Sequence, residues 1–298
     1  MSEESAAVPG GSETSNVIAA LALDEEIARL QRAISNWIEG RSPEMVEALR
    51  WQFGGAAKYY RPVTLFCCSR AVHGPAVSEP EINRAVIVEL IHNMTLIVDD
   101  ILDKSRYRRK KLTLHCRFGT LPALMTSGYV VAEAYRIAGA DADAVALISE
   151  LVSRLGVAEC LQWRLRSQPL GVEDWRQIAT EDTGSMFEVC ACLGTRDERL
   201  RRFGQLLGLL YHGCDDVADV RGVDGLGGGG ADDLRDGILT LPASIAIRDP
   251  AVSRAFCDPS ERGDQTLAAA FKAALPEAER WLDYIAAEAK REAGSTRQ

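Results

Sequence analysis

Residues 79–103, EPEINRAVIVELIHNMTLIVDDILD, read as one long helix that ends in carboxylates. Ser78 is a good N-cap, and Pro80 stands in the first turn, where its missing N–H costs nothing. Ile87, Ile91 and Leu96 recur at helical spacing. Asp99 and Asp103 are four residues apart and share one face of such a helix. A second run, YHGCDDVAD at 211–219, repeats the arrangement with Asp215 and Asp219. Carboxylates in apolar surroundings are costly unless a cation neutralises them. Two such groups facing each other would therefore hold divalent metal, Mg²⁺ by ligand type, and through it a phosphorylated ligand.

The rest of the chain is helical in its periodicity. Leu23, Ile27, Leu30 and Ile34 recur at helical spacing until Gly40 and Pro43 break the pattern. Further helices are expected near 119–138, 142–166, 172–193, 198–220, 240–256 and 264–292. No β-type alternation bounded by turn signals persists. The expected fold is all-α: residues 1–16 a disordered polar tail, 17–292 a single domain, 293–298 a frayed end. The LGGGG run at 226–230 reads as a loop after the second acidic group.

Composition narrows the function. With 47% hydrophobic residues among 298 there is material for a large core. A net charge of −9 argues against nucleic acid and anionic membrane surfaces as partners. The eight cysteines form no paired C-x-x-C set, which speaks against zinc and for small apolar residues in a reducing compartment. The N-terminus lacks the basic segment of a signal peptide, and no apolar run reaches membrane-spanning length. The expectation is a soluble, cytoplasmic protein with no stable membrane insertion.

Directly after the first acidic group comes SRYRRKKLTLHCRFG, which contains Arg108 and Arg109. Acid that binds metal followed by base that binds phosphate suits a diphosphate ligand. At this point the chain resembles the trans-isoprenyl diphosphate synthase, or polyprenyl synthetase, family, nearest its geranylgeranyl diphosphate synthase branch. The resemblance runs from about residue 50 to 250 through ordered motifs. Lys58-Tyr-Tyr-Arg61-Pro62 is similar to K-x-x-R-P, and ELIHNMTLIVDDILDKSRYRR to the first aspartate-rich motif with its arginine pair. LTLHCRFG, TGSMFEVCACLG, YHGCDDVADVRG and DLRDGILTLP are similar to the elements that follow.

The resemblance implies an isoprenoid-synthase helical bundle around a central cavity, working as a homodimer with three Mg²⁺ per site. Asp99, Asp103 and Asp215 would be principal metal ligands, with Asp100, Asp216 and Asp219 supporting. Lys58, Arg61, His92 and Arg109 would hold the diphosphate of the acceptor, isopentenyl diphosphate, and Arg108 that of the allylic donor. Thr183 falls in the catalytic K-T-x-x-L-F helix, Thr95 lies among the substrate-binding positions, and Met94 takes the position that limits product length. The implied reaction ionises an allylic diphosphate and adds the cation to an alkene in a dry pocket.

The departures from the pattern concentrate on the donor side. The lysine of K-T-x-x-L-F is here Asp182, the next expected lysine falls near Gly228, and that of D-x-x-x-G-K is Ile238. The G-Q-x-x-D element corresponds to Gly156–Cys160, with Val157 and Cys160 replacing glutamine and aspartate. Each missing lysine removes a charge-assisted contact of about 1.5–3 kcal/mol. Arg164, Arg166 and Arg235 are candidate replacements. Three functions stay open: a prenyltransferase whose acceptor is isopentenyl diphosphate or another phosphate, a class I terpene cyclase, and a non-catalytic modifying subunit. The intact acceptor set counts against the cyclase, and two complete aspartate triplets count against the silent subunit.

Overall fold

The structure, a computed structural model, describes residues 9–55, 57–222, 236–258, 260 and 265–295. The chain forms two compact units, Met1–Ser149 with Cys192–Arg196, and Glu150–Ala191 with Asp197–Gln298. Both are helical, as expected. No helix among the described residues is long and apolar enough to cross a membrane.

The first unit holds α1 (Pro9–Ala20), α2 (Asp24–Glu39), α3 (Pro43–Phe53), α4 (Tyr60–His73) and α5 (Glu79–Leu102). A β-hairpin, β1 (Tyr107–Arg108) and β2 (Lys111–Leu112), then leads to α6 (Leu114–Phe118) and α7 (Thr120–Ala138). Ser78 caps α5 as the sequence predicts: its N–H donates to the Glu81 carboxylate at 2.6 Å, which satisfies a donor the helix start would otherwise orphan. Ile82, Val86, Val88, Leu90, Ile91 and Ile97 are all buried, so α5 is apolar on every side and central, packed on α7, α2 and α4.

The second unit takes most of α8 (Ala142–Leu165), then α9 (Val172–Ala179), a π-helical turn (Thr180–Gly184), and most of α10 (Ser185–Thr195). It continues with α11 (Arg201–Arg221), α12 (Leu241–Ala246), α13 (Pro250–Cys257) and α14 (Gln265–Ser295). Trp175, Leu206, Leu209, Phe256 and Phe271 form its core. Gly208 lets α11 run against the π-helical turn: a Cβ there would stand 2.7 Å from the Thr183 carbonyl oxygen.

Several boundaries differ from expectation. The helix expected over 172–193 is interrupted by the π-helical turn, a shift of hydrogen-bond register that hydrophobic spacing does not reveal. The helix expected over 240–256 stops after Ala246 and restarts at Pro250, where the Asp249 carboxylate accepts from the Ala251 N–H at 2.7 Å. Pro9–Ala20 is helical, so the first helix begins inside the segment read as a tail. The cysteines are less uniformly buried than expected, since Cys116 and Cys160 are exposed. The glycine run with Gly228, and Arg235, lie outside the described residues.

Candidate active site

In the first unit, the C-terminal half of α5 carries the acidic group. Asp99 is half-buried, Asp103 is exposed at the helix end, and Asp100 is buried. Burial pushes the Asp100 carboxyl up; the Arg108 charge and hydrogen bond oppose that. Arg108 Nε donates to Asp100 Oδ1 at 2.7 Å, so the arginine expected to meet the donor diphosphate also anchors the acidic group. The hairpin sets this up. Tyr107 pairs with Leu112 and Arg108 with Lys111, which leaves Arg109-Lys110 as a two-residue turn. Both have positive φ, 51° and 64°. A turn of this kind favours Asn-Gly. Two cationic residues hold it instead, at a strain of order 1–3 kcal/mol each.

Two turns earlier on α5 lies a cationic cluster. Arg61, at the start of α4, donates to His92 Nε2 at 3.3 Å. Burial, then the charges of Arg61, Arg109 and Arg108, hold the His92 imidazole well below its usual range, so it is neutral. Its accepting nitrogen faces Arg61, and the proton therefore sits on Nδ1, which is buried without a hydrogen-bond partner among the described residues. Glu89, buried three residues before His92, is pushed up to about 7 by burial against the pull of Arg61 and Arg109. Tyr59, between Lys58 and Arg61, is held at φ 53°, a second strained residue in the same place. Thr95 Oγ1 is spent on the His92 carbonyl at 2.9 Å, and Met94 is half-buried.

In the second unit, α11 carries the other acidic group. Asp216 is buried, and its Oδ2 accepts from Trp175 Nε1 and from the Leu241 N–H, each at 2.8 Å. Burial pushes its carboxyl up; the His212 charge and these two donors oppose that. Asp215 and Asp219 are half-buried on the same helix. The Leu241 bond ties the ILTLP segment, with Ile238, to the acidic group. Asp182 and Thr183 sit in the π-helical turn. Thr183 Oγ1 donates to Asp182 Oδ2 at 3.1 Å and lies 2.9 Å from His212 Nδ1. The charge reversal at Asp182 thus belongs to a hydrogen-bonded chain.

The polyprenyl synthetase family model matches residues 42–274. The chain belongs to the polyprenyl synthetase family. These are prenyltransferases, the family that the ordered motifs resemble. A nonaprenyl diphosphate synthase of Mycobacterium tuberculosis is 27% identical over 256 residues, 82% of this chain and 76% of that one. An octaprenyl diphosphate synthase of Escherichia coli is 28% identical over 206 residues, 65% of this chain and 63% of that one. The chain spans 66% and 61% of the length of solanesyl diphosphate synthases from rice and Arabidopsis thaliana. In fold, the chain is similar to a heptaprenyl diphosphate synthase from Staphylococcus aureus, with a TM-score of 0.81 at 20% identity over 90% of this chain and 91% of that one.

A polyprenyl synthetase of this family uses Mg²⁺, and the residues present fit that ion. Asp100 and Asp216 are carboxylates pushed up by burial, the electrostatic state a cation relieves. Among the described residues no three His, Cys, Asp or Glu side chains stand close enough to close a metal site alone. Mg²⁺ usually takes one or two protein carboxylates, its shell completed by phosphate oxygens and water.

Of the proposed replacement cations, Arg164 is exposed, and the Arg166 guanidinium stands 4.6 Å from the Trp163 ring centroid. The arginine at the π-helical turn is one the motifs do not single out. Arg154 Nε donates to Glu181 at 2.7 Å and its NH1 to Glu188 at 3.0 Å. Val157 and Cys160 are exposed on α8. Glu89, Trp175 and His212 also escape a motif reading. Their signal is positional: Glu89 one turn before His92, and His212 one turn before Asp216.

Proposed function

We propose that this polyprenyl synthetase ionises an allylic prenyl diphosphate and couples it to a phosphate-bearing acceptor, isopentenyl diphosphate by default. The observation that carries the reading is the cluster of Arg61, Arg109 and neutral His92, whose buried Nδ1–H has no acceptor among the described residues. A buried donor left unmade costs about 1–3 kcal/mol. An anionic oxygen delivered beside two guanidinium groups repays that cost, and a diphosphate is the natural source. Lys58 belongs to the same phosphate-binding set.

Bound Mg²⁺, three ions in our reading, would supply Lewis-acid stabilisation of the departing diphosphate. Asp99, Asp103 and Asp215 would hold these ions, with Asp100, Asp216 and Asp219 supporting. Arg108 is pinned by Asp100, so its guanidinium is oriented toward the donor before that ligand arrives. Thr183 is oriented by Asp182 within the polar π-helical turn Thr180–Gly184. Met94 bounds the growing chain. Asp182 offers a carboxylate where a lysine would meet the donor diphosphate, so the donor is held weakly and acceptor binding dominates recognition. A relative of similar fold, a polyprenyl synthase from Caulobacter crescentus, was solved with calcium and isoprenyl diphosphate, which supports a diphosphate-binding fold. A homodimer and a cytoplasmic setting complete the proposal.

The test is product analysis. The protein and Mg²⁺ are incubated with dimethylallyl, geranyl, farnesyl or geranylgeranyl diphosphate, each with and without isopentenyl diphosphate, and products are identified by mass. Longer diphosphates formed only with isopentenyl diphosphate are expected. Hydrocarbon or alcohol from one substrate alone would identify a cyclase, and inactivity throughout would point to another acceptor or to a silent subunit.

A further inference from the structure

Trp51, near the end of α3, is a large aromatic that no motif singles out and no proposed step uses. Its indole Nε1 donates to the Leu112 carbonyl of β2 at 3.0 Å. Two cations stand over its ring, Lys111 Nζ at 4.2 Å and the Arg117 guanidinium at 3.9 Å from the centroid. Lys111 Nζ also donates back to the Trp51 carbonyl. Phe118 packs edge-to-face on the same ring, with centroids 6.4 Å apart and planes at 82°. Burial and then the Arg117 charge hold the Lys111 ammonium below its usual range, a cost that attraction to the ring face offsets. Both residues of β2 are thus fastened to one tryptophan.

The hairpin needs such a fastening. Arg109 and Lys110 hold the turn at φ 51° and 64°, and strain of this kind persists only where the surroundings over-determine it. The ladder consists of Tyr107 with Leu112 and Arg108 with Lys111, and so short a ribbon is not stable by itself. Trp51 grips the two residues that pair with the strand entering the turn. The next residue fixes the other end of the linkage. Gln52 Nε2 donates to Asn93 Oδ1 at 3.1 Å, and the buried Asn93, beside His92, donates to the Glu89 carbonyl at 2.9 Å. Consecutive residues of α3 therefore tie the hairpin to the part of α5 that carries His92, where the Arg109 charge acts on His92 and Glu89. Arg108 has an anchor of its own in Asp100, whereas Arg109 sits in the turn itself.

We propose that Trp51 is a positioning residue: it clamps β2 against α3, keeps the Arg109-Lys110 turn in its strained form, and so aims Arg109 at the acceptor diphosphate. The aim at an acceptor rests on the function proposed above; the clamp on the turn does not. Trp51 acts through the backbone of β2, not on a substrate.

The experiment compares the full-length wild type with Trp51→Phe, which keeps an aromatic face but loses the N–H, and with Trp51→Leu, which loses both. Kinetics vary isopentenyl diphosphate and the allylic diphosphate in turn, and hydrogen exchange follows the amides of residues 105–113. Acceptor KM should rise about three- to tenfold in Trp51→Phe and further in Trp51→Leu. Turnover and the allylic KM should stay within about twofold, and exchange across the hairpin should quicken in both variants. Adding Lys110→Gly to Trp51→Phe should recover part of the lost acceptor KM. With the clamp in place glycine adds only freedom; without it, glycine removes the strain that unseats the turn. Trp51→Phe keeps the test open should Trp51→Leu fail to fold. Lost turnover at unchanged acceptor KM, an equal rise in both KM values, no recovery by Lys110→Gly, or unchanged exchange overturns the proposal. If the wild type makes no product from isopentenyl diphosphate, the acceptor reading fails separately, and the exchange result alone upholds or overturns the clamp.

Discussion

Arg61 NH1 donates to His92 Nε2 at 3.3 Å, and that single contact orients the buried Nδ1–H as a donor with no acceptor among the described residues. Arginine cannot accept, so the tautomer follows from the neighbour. His92→Ala should raise KM for the acceptor diphosphate by roughly 10–100-fold, the equivalent of one charge-assisted hydrogen bond. The allylic KM should change little. Steady-state kinetics with each substrate varied in turn measures the split, and equal loss on both sides would remove His92 from acceptor binding.

Glu89 makes stability depend on pH. Its carboxyl is raised from the ordinary 4.5 to about 7 by burial, with Arg61 and Arg109 pulling the other way. The folded state holds this proton more tightly than the unfolded chain. The contribution is therefore complete below about pH 4.5 and is lost as pH rises through about 7. Glu89→Gln, neutral throughout, lacks that slope. Between those limits the wild type should lose up to about 3 kcal/mol relative to the variant. Urea denaturation of both proteins across this range checks it; parallel profiles would show that Glu89 is not proton-linked.

Much of this architecture is legible in the residues, and the exceptions share a cause. The start of α5 at Ser78 and Pro80 and its acidic end follow from local signals, and the grouping of Arg61 with His92 from the resemblance of the ordered motifs. The hairpin does not, because Arg109-Lys110 carries none of the glycine or asparagine that marks such a turn. The π-helical turn shifts hydrogen bonding without disturbing apolar spacing. His212 acquires its partner from Thr183, 29 residues away, through glycines whose role only packing reveals. Asp182 reads as a lost phosphate contact in the motif, and as part of a polar chain in space.

That chain predicts coupling between two substitutions. Asp182→Lys restores a cation for the donor diphosphate but removes the acceptor of the Thr183 hydroxyl, which in turn holds His212. Alone, it should lower the allylic KM by at most a few-fold. Combined with His212→Gln, the gain should exceed the sum of the single effects by about 0.5 kcal/mol or more, as expected for residues in one network. A double-mutant cycle on the allylic KM measures this, and strict additivity would dissolve the network.

The strained hairpin predicts a trade. Lys110 sits at φ 64°, where glycine pays no steric cost. Lys110→Gly should stabilise the protein by about 0.5–1 kcal/mol, the relieved strain less the extra freedom of the unfolded chain. Arg109 keeps its identity but loses a fixed neighbour, so the acceptor KM should rise modestly. Thermal denaturation and acceptor kinetics on the same preparation test both halves.

Gly208 carries the last prediction. A methyl there would meet the Thr183 carbonyl oxygen at 2.7 Å and Gly184 Cα at 2.8 Å, and neither backbone atom can rotate aside. Gly208→Ala should push the π-helical turn off α11 and cost about 1–3 kcal/mol, as overpacking does. Alanine improves helix propensity by up to about 1 kcal/mol, so any net loss is a lower bound on the clash. Because Thr183 rides on the displaced turn, its 2.9 Å approach to His212 should lengthen and turnover should fall beyond what reduced stability explains. Assays well below the melting temperature separate the two effects. Gly222→Ala, at the left-handed end of α11 with open space around its Cβ, is the control: it should cost stability through its φ of 72° and leave turnover unchanged. A Gly208→Ala variant as stable and as active as wild type would mean that the turn and the helix do not need this contact.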